Sequence, residues 1–156
     1  MIHPPPPPRV FVVASAVEIR AVLAVLPAQE TPDRPGCTLL SPADAGCFMG
    51  PAWWRALLAE TGVTFPAFLD CGTAAGRAAE ALGLGLRHIV LHGTGRQADT
   101  IHLLAQSLGA RCLPHRPPHH VVGPAPSPER LRAYLSGIDH PPMHSCPPVI
   151  TPHGTV

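Results

Sequence analysis

The sequence predicts an α/β fold built on a parallel sheet of five strands with helices on both faces. Two observations predict this class. Short apolar runs rich in β-branched residues recur five times along the chain, and segments with helical periodicity separate them. Strands that are joined through helices run parallel, and each such crossover is right-handed. The length of 156 residues suits one domain with its own core.

The predicted elements alternate regularly along the chain. Each strand is short and nearly continuously apolar, as expected for strands buried on both faces. The predicted strands are RVFVVAS (9–15), CTLLS (37–41), FPAFLD (65–70), HIVLH (88–92) and ARCLPH (110–115). The predicted helices are AVEIRAVLAVL (16–26), PAWWRALLAET (51–61), TAAGRAAEALGLG (73–85) and RQADTIHLLAQSL (96–108).

Local signals support individual helices. Pro51 suits the first position of a helix and Gly62 the position that ends it. Thr73 is predicted to cap the third helix. Helical spacing places Trp54 in the core and Trp53 at its rim. In the fourth helix the predicted buried stripe consists of Ile101, Leu104, Ala105 and Leu108.

The ends of the chain differ in composition from its centre. Residues 1–8 form a polyproline leader that is predicted to be disordered, and residues 9–115 form the α/β domain. Residues 116–156 are rich in proline and histidine and contain one predicted helix near 128–136, with Ser127 as its cap. The proline-rich ends are candidate ligands for a protein partner.

Composition excludes several functions. All 11 basic residues are arginine, which excludes a Walker-type lysine loop and a Schiff base. These arginines are spread along the chain and the formal net charge is +1, so nucleic-acid binding is not expected. Five cysteines without CxxC spacing indicate reduced thiols and a cytoplasmic location. Glu18 and Arg20 interrupt the longest apolar run, so no membrane span is expected.

The carboxyl edge of the sheet is the predicted ligand site. A flavodoxin- or Rossmann-like strand order of 2-1-3-4-5 reverses between strands one and three, and ligands bind beside such a reversal. Helix N-termini at this edge favour a small anion, either phosphorylated or carboxylate. The predicted binding residues are Ser15, Asp70, Gly72, Thr73, Gly93, Thr94, Gly95 and Arg96.

Cys71 and Arg77 have C-x5-R spacing between a strand and a helix. This stretch resembles the signature loop of cysteine-dependent phosphatases. The resemblance implies that Cys71 is the nucleophile, that Arg77 holds the phosphate oxygens and that Asp44 is the acid. Such chemistry needs a thiol of low pKa at a helix N-terminus, whereas the preceding Asp70 would raise the pKa.

A second resemblance covers more of the chain. Asp70 ends the third strand, and Arg116-Pro117 follows the fifth, much as an aspartate and Lys-Pro do in phosphoacceptor receiver domains. The acidic pair that holds Mg²⁺ in that family is replaced by Ala14-Ser15, so the resemblance implies a degenerate receiver-like module. A half-barrel of the same βα units is the alternative fold.

No cofactor and no metal site are predicted. The GTGR stretch at 93–96 lacks the dinucleotide-binding pattern, and the histidine clusters of HRPPHH and DHPPMHSC match no zinc-finger spacing. The leading hypothesis is therefore a small anion-binding α/β domain without a complete catalytic apparatus. The cysteine phosphatase and the receiver-like or proline-rich interaction module remain alternatives.

Overall fold

A computed structural model of the chain describes residues 7–27 and 36–137. Most of the predicted leader therefore lies outside the described residues, as do the DHPPMHSC histidine cluster and the end of the proline-rich tail. The strands are β1 (Arg9–Val12), β2 (Cys37–Leu40), β3 (Ala67–Asp70), β4 (His88–Val90), β5 (Arg111–Leu113) and β6 (His120–Val121). The helices are α1 (Ala16–Val25), α2 (Ala45–Phe48), α3 (Pro51–Thr61), α4 (Ala75–Gly83), α5 (Arg96–Ser107) and α6 (Pro128–Leu135).

The strands form one parallel sheet with the order β5-β4-β3-β2-β1-β6. The predicted parallel α/β class is confirmed, but the predicted count of five strands and the order 2-1-3-4-5 are wrong. Every βα unit from β1 to β5 steps in the same direction across the sheet. Apolar runs and helix periodicity specify the elements but not the direction of each step, so the sequence pattern could not distinguish these two orders.

All the helices that reach the core pack on one face of the sheet. Right-handed crossovers that step in one direction place their helices on the same side. Neighbouring helices accordingly contact one another in the order α6-α1-α3-α4-α5. The large core contains residues from this helix layer together with the strand residues that face it. In residues 7–27 and 36–137 the helices form one layer, so the predicted doubly wound, three-layer arrangement is wrong for this part of the chain.

The opposite face of the sheet carries a second, smaller apolar cluster. Its members alternate along the strands with those of the large core, as the pleat of a strand requires. No helix contributes to this cluster in the described part of the chain. Its buried residues are Val10, Val12, Leu40, Phe68 and Val90.

The β5–β6 connection crosses this open face from one edge of the sheet to the other. Five strand spacings separate β5 from β6, which is about 24 Å. Seven residue steps join Leu113 to His120, and the backbone bends at residues 114, 115 and 118. Prolines in this stretch favour an extended backbone. Pro117 and Pro118 line a cavity together with Val10, which places the connection against the open face.

Most predicted helices have the expected caps and cores. α3 begins at Pro51 and ends at Gly62, and Trp54 is fully buried. The prediction for α5 is partly wrong, because Leu104 and Leu108 are 38% and 41% exposed. α5 is the last helix of the layer formed by the described residues, and α4 is its only helix neighbour with extensive contacts there. No helix in residues 7–27 and 36–137 is long and apolar enough to cross a membrane.

Two elements have no counterpart in the sequence analysis. The short helix α2 lies between the predicted second strand and second helix, where no element is predicted. β6 pairs with β1 through Phe11↔His120 and Val12↔Val121. Beyond residue 115 the chain therefore continues into the same sheet, and α6 packs against α1. The Tyr134 hydroxyl lies 3.4 Å from Val10 N and 3.3 Å from Val10 O, which ties α6 to β1.

Candidate functional site

Asp70 lies at the centre of the carboxyl edge of the sheet. It ends β3, and its side chain is fully buried. The Gly72 N–H donates to Oδ1 at 2.7 Å, and the Arg116 guanidinium donates to Oδ2 at 2.5 Å. A buried carboxylate is tolerated only when it is paired and hydrogen-bonded. These two contacts give each oxygen of the buried Asp70 carboxylate a hydrogen-bond donor.

Arg116 joins the β5–β6 connection to the middle of the sheet. Its Nη1 also donates to the Ser41 carbonyl at 3.2 Å, just beyond β2. The Ser41 hydroxyl in turn accepts the Asp70 N–H at 2.9 Å. The receiver resemblance pointed to both Asp70 and Arg116 but gave Arg116 no partner. The missed signal is that a buried carboxylate at this edge needs a cation, and Arg116 follows a strand that ends at the same edge.

His92 lies beside this ion pair, two residues beyond Val90, the last residue of β4. Its Nδ1 is 3.2 Å from the Pro114 carbonyl oxygen, and its Nε2 is 3.7 Å from Asp70 Oδ2. The His115 ring lies next to it, with ring centroids 6.4 Å apart. The side chain of His92 is 29% exposed and His115 is exposed, so both imidazoles reach solvent at the carboxyl edge.

The loops after β3 and β4 begin two helices at this edge. The N-cap residues of α4 and α5 are Ala74 and Gly95, and neither makes a side-chain capping bond within the described residues. The N-cap of α4 is therefore Ala74, one residue after the predicted Thr73. Gly95 has φ 109°, a conformation open almost only to glycine. The first N–H groups of both helices are left for solvent or a ligand.

Asp44 brings a second carboxylate to the β3 side of the edge. Gly72 has φ 56°, and a Cβ on Gly72 would lie close to Asp44 Oδ1. Gly72 is thus required both by its backbone angle and by the close approach of Asp44. The Asp44 side chain is exposed, and its charge is unfavourable for an anion beside α4. The β4 side of the edge, with Gly93, Thr94 and Arg96, is the more positive half.

Ser15 is separated from the other predicted binding residues. β2 lies between β1 and β3, so the predicted juxtaposition of Ser15 with Asp70 is wrong. Ser15 is instead the N-cap of α1, where its Oγ accepts the Glu18 N–H at 3.3 Å. The Glu18 carboxylate accepts the Ala14 N–H at 2.9 Å and the Ser15 hydroxyl at 3.1 Å, so it closes back on the start of its own helix. This helix start is already occupied by a carboxylate of the chain itself.

Cys71 and Arg77 do not form the arrangement that the phosphatase resemblance implies. The Cys71 side chain is fully buried, and burial together with the charge of Asp70 raises the pKa of its thiol to about 12. Arg77 forms a 2.7 Å ion pair with Glu80 at the exposed surface. A nucleophilic cysteine needs the opposite shift, so the geometry gives this alternative no support.

The helix layer also contains a shallow groove of about 260 Å³ between α4 and α5. Small residues of α4 line one wall, and Gln97 and Thr100 of α5 line the other. Its volume is below the roughly 300–1,000 Å³ of typical small-molecule pockets. Residues 7–27 and 36–137 contain no group of three or more His, Cys, Asp and Glu side chains that could hold a metal ion.

These features define a class of protein: an α/β domain with helices on one face of a parallel sheet and a buried Asp–Arg pair at its carboxyl edge. The sequence matches no model of a known protein family. A search of curated proteins likewise gives no significant match. The geometry of the carboxyl edge is therefore the basis for the functional proposal.

Proposed function

We propose that the chain binds a small anionic ligand, phosphorylated or carboxylate, at the carboxyl edge of the sheet beside β3 and β4. The observation that carries this proposal is that two uncapped helices begin in neighbouring loops, directly after β3 and β4. Ser15 and Ser127 cap α1 and α6, whereas α2 to α5 have no side-chain cap in the described part of the chain, and of these α4 and α5 follow adjacent strands. Two adjacent helices therefore direct unpaired N–H groups and partial positive charge to one edge.

The charged side chains favour the half of this edge beside β4. Arg96 is the first residue of α5, is exposed and has no ion-pair partner among the described residues. It can bind two oxygens of a phosphate or carboxylate at once. Asp70 takes no direct part, because its carboxylate is buried and already paired. The ligand then lies over Gly93, Thr94 and Gly95, with Thr73 at its margin.

Isothermal titration with sulfate, phosphate and acetate at constant ionic strength tests the proposal. We expect Arg96→Gln to weaken binding roughly tenfold, because it removes a charge-assisted contact. Asp44→Asn should strengthen binding by a few-fold, since it removes an opposing carboxylate while asparagine tolerates the left-handed angle of Asp44.

The matched control is Arg130→Gln on α6, which removes one exposed positive charge far from the β3 and β4 loops in sequence. It should leave anion affinity nearly unchanged. The proposal is overturned if none of the three anions binds, or if Arg96→Gln and Asp44→Asn change affinity no more than Arg130→Gln does.

A further inference from the structure

A cavity of about 220 Å³ lies where β1 begins, at the opposite edge of the sheet from the proposed anion site. Three separate parts of the chain form its walls: the residues that lead into β1, the β5–β6 connection and α6. Its apolar walls are Val10, the ring of Tyr134 and two proline pairs, Pro7 with Pro8 and Pro117 with Pro118. Arg9 adds the charged group among the described residues that line it.

Tyr134 fixes the wall that α6 contributes to this cavity. Its hydroxyl donates to the Val10 carbonyl oxygen at 3.3 Å and accepts the Val10 N–H at 3.4 Å. Its ring stacks on His120, with centroids 4.9 Å apart, and meets the Phe11 ring edge-on at 5.0 Å. The proline walls are stiff as well, because the pyrrolidine ring fixes φ. The cavity is therefore preformed, which lowers the entropy that a ligand must lose to bind.

Arg9 is a partly buried cation without an anionic partner. Arg9 and Arg116 are the two arginines of residues 7–27 and 36–137 that are partly buried, and the others are exposed. Arg116 is paired with Asp70, whereas no described residue gives the Arg9 guanidinium a hydrogen-bond or ion-pair acceptor. Its carbon Cζ lies 5.5 Å from the centre of the Tyr134 ring, within cation–π distance. This contact orients the guanidinium and leaves its N–H donors open to an acceptor.

The size of the cavity and its single charge define a ligand class. An apolar cavity of about 150 Å³ accommodates a benzene ring. The cavity beside Arg9, at about 220 Å³, leaves room for such a ring with one carboxylate group. Proline and aliphatic walls favour an apolar body, and the planar guanidinium matches the two oxygens of a carboxylate.

We propose that this cavity is a binding site for a small aromatic carboxylate with a single ring. Arg9 binds the carboxylate, and the proline pairs and Val10 contact the ring. The site is separate from the carboxyl edge, so this inference goes beyond the proposed function and does not depend on it.

Isothermal titration of the full chain with benzoate and with benzamide near neutral pH tests the site. We expect benzoate to bind with a dissociation constant of about 1 mM or tighter, as suits a ligand of this size. Benzamide has nearly the same shape but no charge. It should bind at least about tenfold more weakly, because it lacks the charge-assisted contact with Arg9.

Amide NMR spectra of the same titration locate the bound benzoate. We expect the Val10 amide to shift with the same dissociation constant, because Val10 lines the cavity and is hydrogen-bonded to Tyr134. Shifts confined to Gly93 and Gly95 would assign benzoate to the carboxyl edge and would overturn the proposal.

Arg9→Gln should weaken benzoate binding at least about tenfold, to the level of benzamide. Arg9→Lys keeps the charge but loses the planar pair of donors, so we expect an intermediate loss. Arg132→Gln is the matched control, since Arg132 is exposed and lies on the other side of α6 from Tyr134. It should keep the full affinity. Thermal melts establish that each variant is folded.

Three further outcomes would overturn the proposal. The first is the absence of benzoate binding at up to about 10 mM. The second is equal binding of benzoate and benzamide by the natural chain, a comparison that needs no variant. The third concerns Asp139, which lies outside the described residues and follows Gly137, where a Cβ would contact the Arg9 guanidinium. Benzoate binding that appears only in Asp139→Asn would show that a carboxylate of the chain itself takes this place.

Discussion

Within residues 7–27 and 36–137, one face of the sheet is covered by the helix layer, whereas the other is crossed by the β5–β6 connection. Leu39 and Leu40 are neighbours on β2 and both are fully buried, yet they belong to opposite faces and to different apolar clusters. On the helix face, burial comes from many side chains that interlock. On the open face, the connection is held in place by the ion pair between Arg116 and Asp70. Equal burial can therefore arise from dense side-chain packing on one face and, on the other, from a connection that the Arg116–Asp70 ion pair holds in place.

The largest expected effect comes from substitutions on the two faces of β2. Leu39→Ala should reduce the free energy of unfolding by about 3–5 kcal/mol, because the interlocked helix layer cannot close the cavity. Leu40→Ala should cost about 2 kcal/mol, because the β5–β6 connection can move inward. Chemical denaturation of both variants measures the difference. Equal losses, or a larger loss for Leu40→Ala, would contradict the distinction between the faces.

Arg116→Gln tests the contribution of the Arg116–Asp70 ion pair to stability. This change leaves the buried Asp70 carboxylate without a cation, and we expect a loss of about 3 kcal/mol in the free energy of unfolding. The double variant Asp70→Asn/Arg116→Gln should be more stable than Arg116→Gln alone, because no unpaired charge is left buried. Arg130→Gln on the exposed side of α6 is the control and should change stability by less than about 0.5 kcal/mol. If Arg116→Gln reduced the free energy of unfolding as little as the control does, the Arg116–Asp70 ion pair would not be needed for stability.

The smallest expected effect concerns Cys71, which lies in the core of the helix face. Burial and the charge of Asp70 raise the pKa of this thiol from its ordinary value of 9.0 to about 12, so the folded protein keeps the proton over a range in which the unfolded chain loses it. Its contribution to stability is complete below about pH 9 and is lost as the pH rises toward about 12. Thermal melts between neutral and alkaline pH should therefore show a steeper decline for the natural chain than for Cys71→Ala. Parallel declines would argue against a raised pKa at Cys71.

Alkylation gives a second measurement at the same residue. At neutral pH, iodoacetamide should modify Cys71 in the folded chain far more slowly than a free cysteine, because the thiol is both buried and protonated. Rapid labelling of Cys71 in the folded protein would restore the phosphatase alternative.

Much of the fold followed from local signals. The five predicted strands and four predicted helices of the domain all form, and the Ser127 cap and Gly62 stop lie where their residue types predicted. β6 was missed because a two-residue strand carries too little pattern to identify. The buried stripe of α5 was overestimated, since periodicity shows which residues share a helix face but not whether a neighbour covers it.

The candidate site was less predictable than the fold. The sequence located Asp70, Gly72, Thr73 and the GTGR stretch correctly at strand ends. It grouped Ser15 with them only because the assumed strand order made β1 and β3 neighbours. It did not connect Arg116 or His115 with Asp70 and His92, since 46 residues separate the members of the ion pair.

The amino-acid sequence alone determined the elements, the parallel direction of the strands and the edge at which their loops gather. Each of these depends on residue types within a few positions of one another, or on the fixed handedness of a βα unit. Only the tertiary structure decided the order of the strands, the single helix-covered face and the pairing of Asp70 with Arg116. Those features depend on which distant segments compete for the same neighbours, and hydrophobic burial does not distinguish one apolar strand from another.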